Sequence, residues 1–189
     1  MDGGKFNKAV SFLYIMIKRG TVRKKRGQIQ ISFGMIFSII LVIAFLGFAF
    51  YAIKIFLKTG DEAKAAKFID ELQGDTIRIW GSEVSAEQQE YVVPSYADMV
   101  CFINFDSGSN GENSELYSEF NNSIDPANNN FAFYPIRYNG YESAGIRYLD
   151  IVKTTEEENP LCIKANNGRV SLILKKDYGE NYITIERTG

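Results

Sequence analysis

The chain has 189 residues, of which 21 are Lys or Arg and 23 are Asp or Glu, so its net charge near neutral pH is −2. The charge is unevenly distributed: residues 1–58 hold ten basic residues and one acidic residue, whereas residues 59–189 hold 11 and 22. A domain with net charge −11 does not attract phosphates, which excludes nucleic acid as a partner. The lack of histidine excludes His-dependent catalytic triads and His-ligated metals.

Residues 1–27 form the first predicted element, a basic cytoplasmic leader. Its apolar stretch precedes most of the positive charge, which is the reverse of the order in a secretory signal. Phe6, Val10, Leu13 and Ile17 recur at helical spacing. A short amphipathic helix on the inner leaflet is therefore the alternative interpretation.

A transmembrane helix is predicted over residues 28–57. The 27 residues from Gly27 to Ile53 carry no charge, and as a helix they would reach about 40 Å, against about 30 Å for a hydrocarbon core. The basic cluster directly before this run stays in the cytoplasm under the positive-inside rule. We therefore expect a single-pass protein of the cell membrane with its C-terminal domain outside and the lipid bilayer as its first partner.

Residues 58–80 are predicted to form an amphipathic helix that continues the first and ends near Trp80. Apolar residues recur there at intervals of three and four, which is typical of a helix that covers one face. The positions of this stripe are Ala65, Phe68, Ile69, Leu72, Thr76 and Ile79.

Residues 81–189 are predicted to form an extracytoplasmic β-rich domain. Runs rich in β-branched and aromatic residues indicate strands, and they occupy 90–93, 97–105, 145–152, 161–176 and 181–187. Asn167-Gly168 predicts a hairpin turn inside the fourth run. A polar insert interrupts the domain at about 107–130. The fold class is therefore α+β: a long N-terminal transmembrane helix, a second amphipathic helix, and a small antiparallel β-sheet domain packed on it.

Few side chains of this domain suggest a site. Cys101 and Cys162 are the only cysteines; they are either two buried thiols or a disulfide that closes a loop of about 60 residues. Asn121 begins a glycosylation sequon in the polar insert. The acidic run at 156–158 is interpreted as a solvated loop. We predict no catalytic, cofactor-binding or metal-binding residue and no enzymatic activity.

The junction KKRG-QIQISFGMIFSIILV resembles the processing site of archaeal type IV pilin-like precursors, which carry class III signal peptides. In that family basic residues and a glycine precede the cut, and the apolar helix after it is retained. The resemblance implies that Arg26 and Gly27 flank a cut before Gln28, made by a prepilin peptidase-like enzyme. The family commonly has Glu at the fifth mature position, where this chain has Ser32, or Gly34 if Gln30 and Ser32 are aligned with the Gln-x-Ser start of the family; in either alignment the Glu is missing.

Two functions are expected from these observations. The first is a pilin-like surface structural or adhesion subunit, whose apolar helices pack with other copies while the heads face outward. The alternative is an uncleaved single-pass protein whose extracytoplasmic domain binds a ligand or an envelope partner. Neither requires a cofactor.

Overall fold

A computed structural model describes residues 33–137 and 142–188 of the chain. The chain divides into two units, residues 1–48 and 49–189. The leader, its alternative amphipathic helix and the processing junction at Arg26, Gly27 and Gln28 lie outside the described residues. The first five residues of the predicted transmembrane helix lie outside them too.

The first described element is one uninterrupted helix, α1, Phe33–Trp80. The helix continues through Thr59 and Gly60, so the two predicted helical segments are one element. It ends at Trp80, where the sequence pattern places its end. The Lys176 ammonium donates hydrogen bonds to the backbone carbonyls of Trp80 and Ser82. A cation at this position satisfies terminal carbonyls and complements the helix dipole.

Within the described residues, seven strands and three short helices follow α1. The strands are β1 Ser85–Val92, β2 Met99–Phe102, β3 Phe131–Tyr134, β4 Ser143–Ala144, β5 Leu161–Lys164, β6 Arg169–Lys176 and β7 Thr184–Arg187. The short helices are a 3₁₀ turn at Ser114–Leu116, α2 Tyr117–Ser123 and α3 Ile151–Thr154.

The strands form two antiparallel sheets, of order β1-β6-β7 and β4-β3-β2-β5. In the first, Ser85 lies opposite Lys176 and Val92 opposite Arg169. In the second, Cys101 of β2 lies opposite Cys162 of β5. The coarse prediction of a long apolar N-terminal helix followed by an antiparallel β domain is therefore confirmed, with two sheets in place of one.

One face of α1 belongs to the core of the β-rich domain that follows it, residues 81–189, which is called the head below. The buried positions on this helix are Ala65, Phe68, Leu72, Thr76 and Ile79. They are five of the six positions in the predicted stripe, and the sixth, Ile69, is partly buried against the same core. Residues of both sheets join this cluster, so the helix and the two sheets share one apolar interior.

A second core lies on the other side of β2. Met99, Cys101, Ile103 and Phe105 alternate along the chain and belong to this cluster, as the period of two predicts. The neighbours Val100 and Phe102 belong instead to the first core. The strand β2 is therefore buried on both faces of its sheet.

The second core is covered by part of the predicted polar insert. Residues 107–130 contain the 3₁₀ turn and α2, and Phe120 and Ile124 are buried against the sheet. Interpreting the insert as simply polar was therefore incomplete. The signal was present, because Leu116, Phe120 and Ile124 recur at the spacing of one helix face.

The predicted strand at 145–152 is wrong. Tyr148 has a φ of 65°, which interrupts an extended strand. Asp150 then caps α3, because its side chain accepts a hydrogen bond from the backbone N–H of Lys153 at 3.0 Å. Local cap chemistry prevails here over apolar alternation.

The turn at Asn167-Gly168 forms, but its flanking strands do not pair in one ladder. Both residues have positive φ, and Asn166 and Arg169 exchange backbone hydrogen bonds of 2.7 and 3.0 Å. β5 then pairs with β2, whereas β6 pairs with β1 and β7. The alternation in β6 is as expected, with Val170, Leu172 and Leu174 buried.

Candidate functional site

The apolar part of α1 is uncovered around its whole circumference. Every residue from Phe33 to Gly60 is exposed, and residues 33–53 carry no charge. These 21 residues reach about 30 Å, and the helix is long and apolar enough to span a bilayer. A surface of this composition is costly in water, at about 25 cal/mol per Å² of apolar area. By length and composition the segment suits a membrane anchor.

The single serine of this stretch needs no water molecule as a hydrogen-bond partner. The Ser38 hydroxyl donates a hydrogen bond to the backbone carbonyl of Gly34 at 2.8 Å, within the same helix. A hydroxyl satisfied in this way can enter hydrocarbon, where an unpaired polar group would cost several kcal/mol.

A polar cluster joins the last turns of α1 to β1. The Tyr91 hydroxyl donates to the carboxylate of Asp75 at 2.8 Å, and Arg78 bridges Asp75 and Glu87 at 3.0 and 2.8 Å. Burial, and then the bond to Asp75, raises the pKa of Tyr91 far above its usual range. Tyr91 therefore keeps its proton at neutral pH, and its hydroxyl acts as a hydrogen-bond donor that ties β1 to α1.

A second polar contact lies near the start of the buried helix face. Asp61 accepts hydrogen bonds from the backbone N–H and hydroxyl of Ser95. Burial opposes ionisation of Asp61, but the bonds from Ser95 and the charge of Lys64 outweigh it and lower the pKa. Nearby, burial raises the pKa of Tyr96 to about 12, and the Arg137 guanidinium lies 4.6 Å from the centre of its ring.

The two cysteines lie at disulfide-bonding distance. The Sγ atoms of Cys101 and Cys162 are 2.09 Å apart and join neighbouring strands, β2 and β5. Both cysteines are buried in the second core, under α2. The bond ties residues 61 apart in sequence, which restricts the unfolded chain.

The acidic run at 156–158 is only partly solvated. Glu158 is buried and pairs with Arg187, and it also accepts a hydrogen bond from the side-chain amide of Asn113. Glu156 and Glu157 are exposed, as expected. The interpretation of the run as a solvated loop is therefore wrong for Glu158, whose charge is neutralised by a residue on the last strand.

The sequon asparagine Asn121 is exposed, so its side chain is accessible to solvent. It lies in the helix α2 and not in a loop. Its glycosylation stays a prediction.

The described residues contain no group of three or more His, Cys, Asp or Glu side chains placed to hold a metal ion. The strongly perturbed side chains named above are tied to structural partners. The features that remain for function are the uncovered helix, the head surface and the charge difference between the two ends of the chain.

Comparison with known proteins adds no family. No protein-family model, no curated protein and no solved structure matches the chain.

Proposed function

We propose that this protein is a membrane-anchored, pilin-like subunit of the cell surface with a structural or adhesive role. The observation that carries the proposal is the helix α1, which is uncovered and uncharged over residues 33–53 and buried in a β-rich head from Ala65 to Ile79. A helix of this kind is an anchor and a stalk for one domain. The uncovered apolar face offers lipids or other copies of the helix a place to pack.

The orientation follows from charge. Residues 1–58 have a net charge of +9 and residues 59–189 of −11, and the positive-inside rule keeps the basic end in the cytoplasm. The head is then exported. The cysteine pair agrees with this side of the membrane, because disulfides persist mainly in oxidising compartments.

The pilin-like element of the proposal rests on the junction at Arg26, Gly27 and Gln28. A cut before Gln28 would remove the basic leader and leave the apolar helix at the start of the mature chain. The helices could then bundle through their apolar faces, with the heads on the outside of the assembly.

Intact-mass measurement of the protein from its native membrane tests the cut. The expected mass is that of a chain that begins at Gln28, and replacement of Gly27 by valine should leave the leader attached. Gly20→Val is the matched control, because Gly20 also follows a Lys-Arg pair. A wild-type chain that still begins at Met1 would refute processing.

Protease treatment of intact cells tests the orientation separately. An epitope tag after Gly189 should be removed by an added protease, whereas a tag before Met1 in the Gly27→Val variant should be protected until the membrane is broken. The reverse pattern would refute an exported head.

One observation favours the second candidate, an uncleaved single-pass protein whose head binds a ligand or partner. Ser32 stands where the pilin-like family commonly has Glu, so a charge that registers neighbouring helices is missing there. This candidate predicts a persistent leader and a monomeric helix. The mass measurement above separates the two functions.

A further inference from the structure

A shallow groove of about 310 Å³ lies where α1 ends and the loop between β6 and β7 passes over it. Its lining is aromatic and polar. The residues that line it are Trp80, Tyr148, Lys176, Glu180, Asn181 and Tyr182.

Two aromatic rings of this groove, those of Trp80 and Tyr148, are held in place, and the groove remains accessible. Trp80 and Tyr148 stack with ring centres 4.1 Å apart and planes at 23°. The Trp80 indole N–H donates to the backbone carbonyl of Asn181 at 2.9 Å. Trp80 is nevertheless 39% exposed and Tyr182 52% exposed. Rings held in place lose little conformational freedom when a ligand binds.

The backbone holds Tyr148 in a costly conformation. A positive φ of 65° is unusual for so bulky a residue and is energetically unfavourable. Two backbone hydrogen bonds to a nearby segment of the same chain hold Tyr148 in this conformation. The N–H of Ile183 donates to the carbonyl of Tyr148 at 2.9 Å, and the N–H of Asp150 donates to the carbonyl of Ile183 at 2.7 Å. The same hydrogen bonds hold the segment that contains Tyr148 beside the segment that contains Tyr182, and both tyrosines line the groove.

The charged side chains of the groove are already engaged. Lys176 donates to backbone carbonyls at the end of α1, and Glu180 pairs with Lys153 at 2.6 Å. Among the described residues, the hydroxyls of Tyr148 and Tyr182 have no hydrogen-bond partner, and Asn181 is exposed. The groove therefore offers aromatic faces and neutral hydrogen-bonding groups.

We propose that this groove binds an uncharged carbohydrate. A sugar ring combines a face of C–H groups, which packs on an aromatic ring, with a rim of hydroxyls, which would meet Asn181 and the free tyrosine hydroxyls. A protein partner fits less well, because a specific protein interface needs about 1,200 Å² or more of buried surface. The proposal names a ligand class for the head. It rests on the proposed function in one respect, namely that the groove lies outside the cell.

Ligand binding can be followed by the fluorescence of Trp80, since it is the only tryptophan of the chain. The full chain, purified in a detergent without a sugar headgroup, is titrated with hexasaccharides of glucose, mannose and N-acetylglucosamine. The change in Trp80 emission should saturate with at least one of them. Tyr182→Ala should weaken that binding about tenfold through the lost ring contact.

Tyr178→Ala is the matched control. Tyr178 lies in the same loop and is 85% exposed, but it does not line the groove, so its replacement should leave the affinity unchanged within about twofold. The proposal is overturned by the lack of a saturable response to all three sugars, or by equal losses in the two variants. It is also overturned if only a charged polymer such as polygalacturonate binds.

Failure of this titration is distinguishable from failure of the proposed function. The titration uses purified protein and does not depend on orientation or processing. The mass and protease measurements, in turn, do not depend on the groove.

Discussion

Replacing Phe68 by alanine tests whether the head is held on α1 by a shared aromatic core. The Phe68 side chain is 0% exposed. Its ring centre lies 5.3 Å from those of Tyr91 and Phe131 and 5.1 Å from that of Phe133. These partners belong to strands of both sheets, so the truncated side chain leaves a cavity where helix and sheets meet.

The expected loss is large relative to the stability of a single domain. A buried Phe→Ala change costs about 3–5 kcal/mol, from lost transfer free energy and the cavity that remains. Domains are stable by about 5–15 kcal/mol. With a urea dependence of about 2 kcal/mol per M, the midpoint of unfolding should fall by about 1.5–2.5 M.

Urea titration of the full chain in detergent micelles, followed by Trp80 emission, measures this shift. Phe56→Ala is the matched control, because Phe56 lies on the same helix but is 78% exposed. Its midpoint should change by about 0.2 M or less. Equal shifts in the two variants, or a midpoint for Phe68→Ala within about 0.5 M of wild type, would refute the shared core.

Three further predictions concern the head. Reduction of the bond between Cys101 and Cys162 should lower the free energy of unfolding by about 4 kcal/mol, measured by urea titration with and without reductant. Gly111→Ala should destabilise the head by about 1–3 kcal/mol in the same assay, because Gly111 has a φ of 82° and an added Cβ would lie 2.6 Å from a buried glutamate side chain. The contribution of Asp61 should depend on pH: Ser95 helps to lower its pKa, so the stabilisation is present above the ordinary carboxyl pKa of about 4 and is lost as the pH falls through the folded value.

Each of these has its own control. Gly108→Ala should be nearly neutral, because no atom lies within 4 Å of its added Cβ; an equal loss at Gly108 and Gly111 would contradict the steric explanation. A reductant effect below about 1 kcal/mol would show that the disulfide does not restrict the unfolded chain. For Asp61→Asn, the difference in urea midpoint from wild type should narrow between about pH 6 and pH 3. A constant difference would show that the charge of Asp61 contributes nothing.

The elements that were predictable depend on regular spacing. The stripe from Ala65 to Ile79 repeats every three or four residues, and β6 alternates, so each identifies its own buried face. Both patterns are local consequences of helix and strand geometry. The same is true of the Asn167-Gly168 turn, because positive φ is a property of the two residues themselves.

The pairing of the strands was not predictable in the same way. The turn at Asn167-Gly168 suggested that its flanking strands pair, yet β5 joins β2 and β6 joins β1 and β7. The groups that decide this are distant in sequence: Cys162 meets Cys101, and Leu172 enters the core around Phe68. A short-range signal contains no information about these neighbours.

The candidate sites show the same division. The apolar helix was evident from the sequence, because absence of charge over 27 residues is a property of composition. The burial of Glu158 depends on Arg187, and the aromatic groove depends on a contact between Trp80 and Tyr148. Residues this far apart along the chain could be brought together only by the fold.

The sequence by itself therefore determined the apolar helix, its charged flanks and the buried faces of the regular elements, because each follows from local spacing and composition. The tertiary structure alone decided the two-sheet arrangement, the second core beneath α2 and the groove at the end of α1. The physical reason is that side-chain burial and ion pairing depend on neighbours in space, and a single sequence lists only neighbours along the chain.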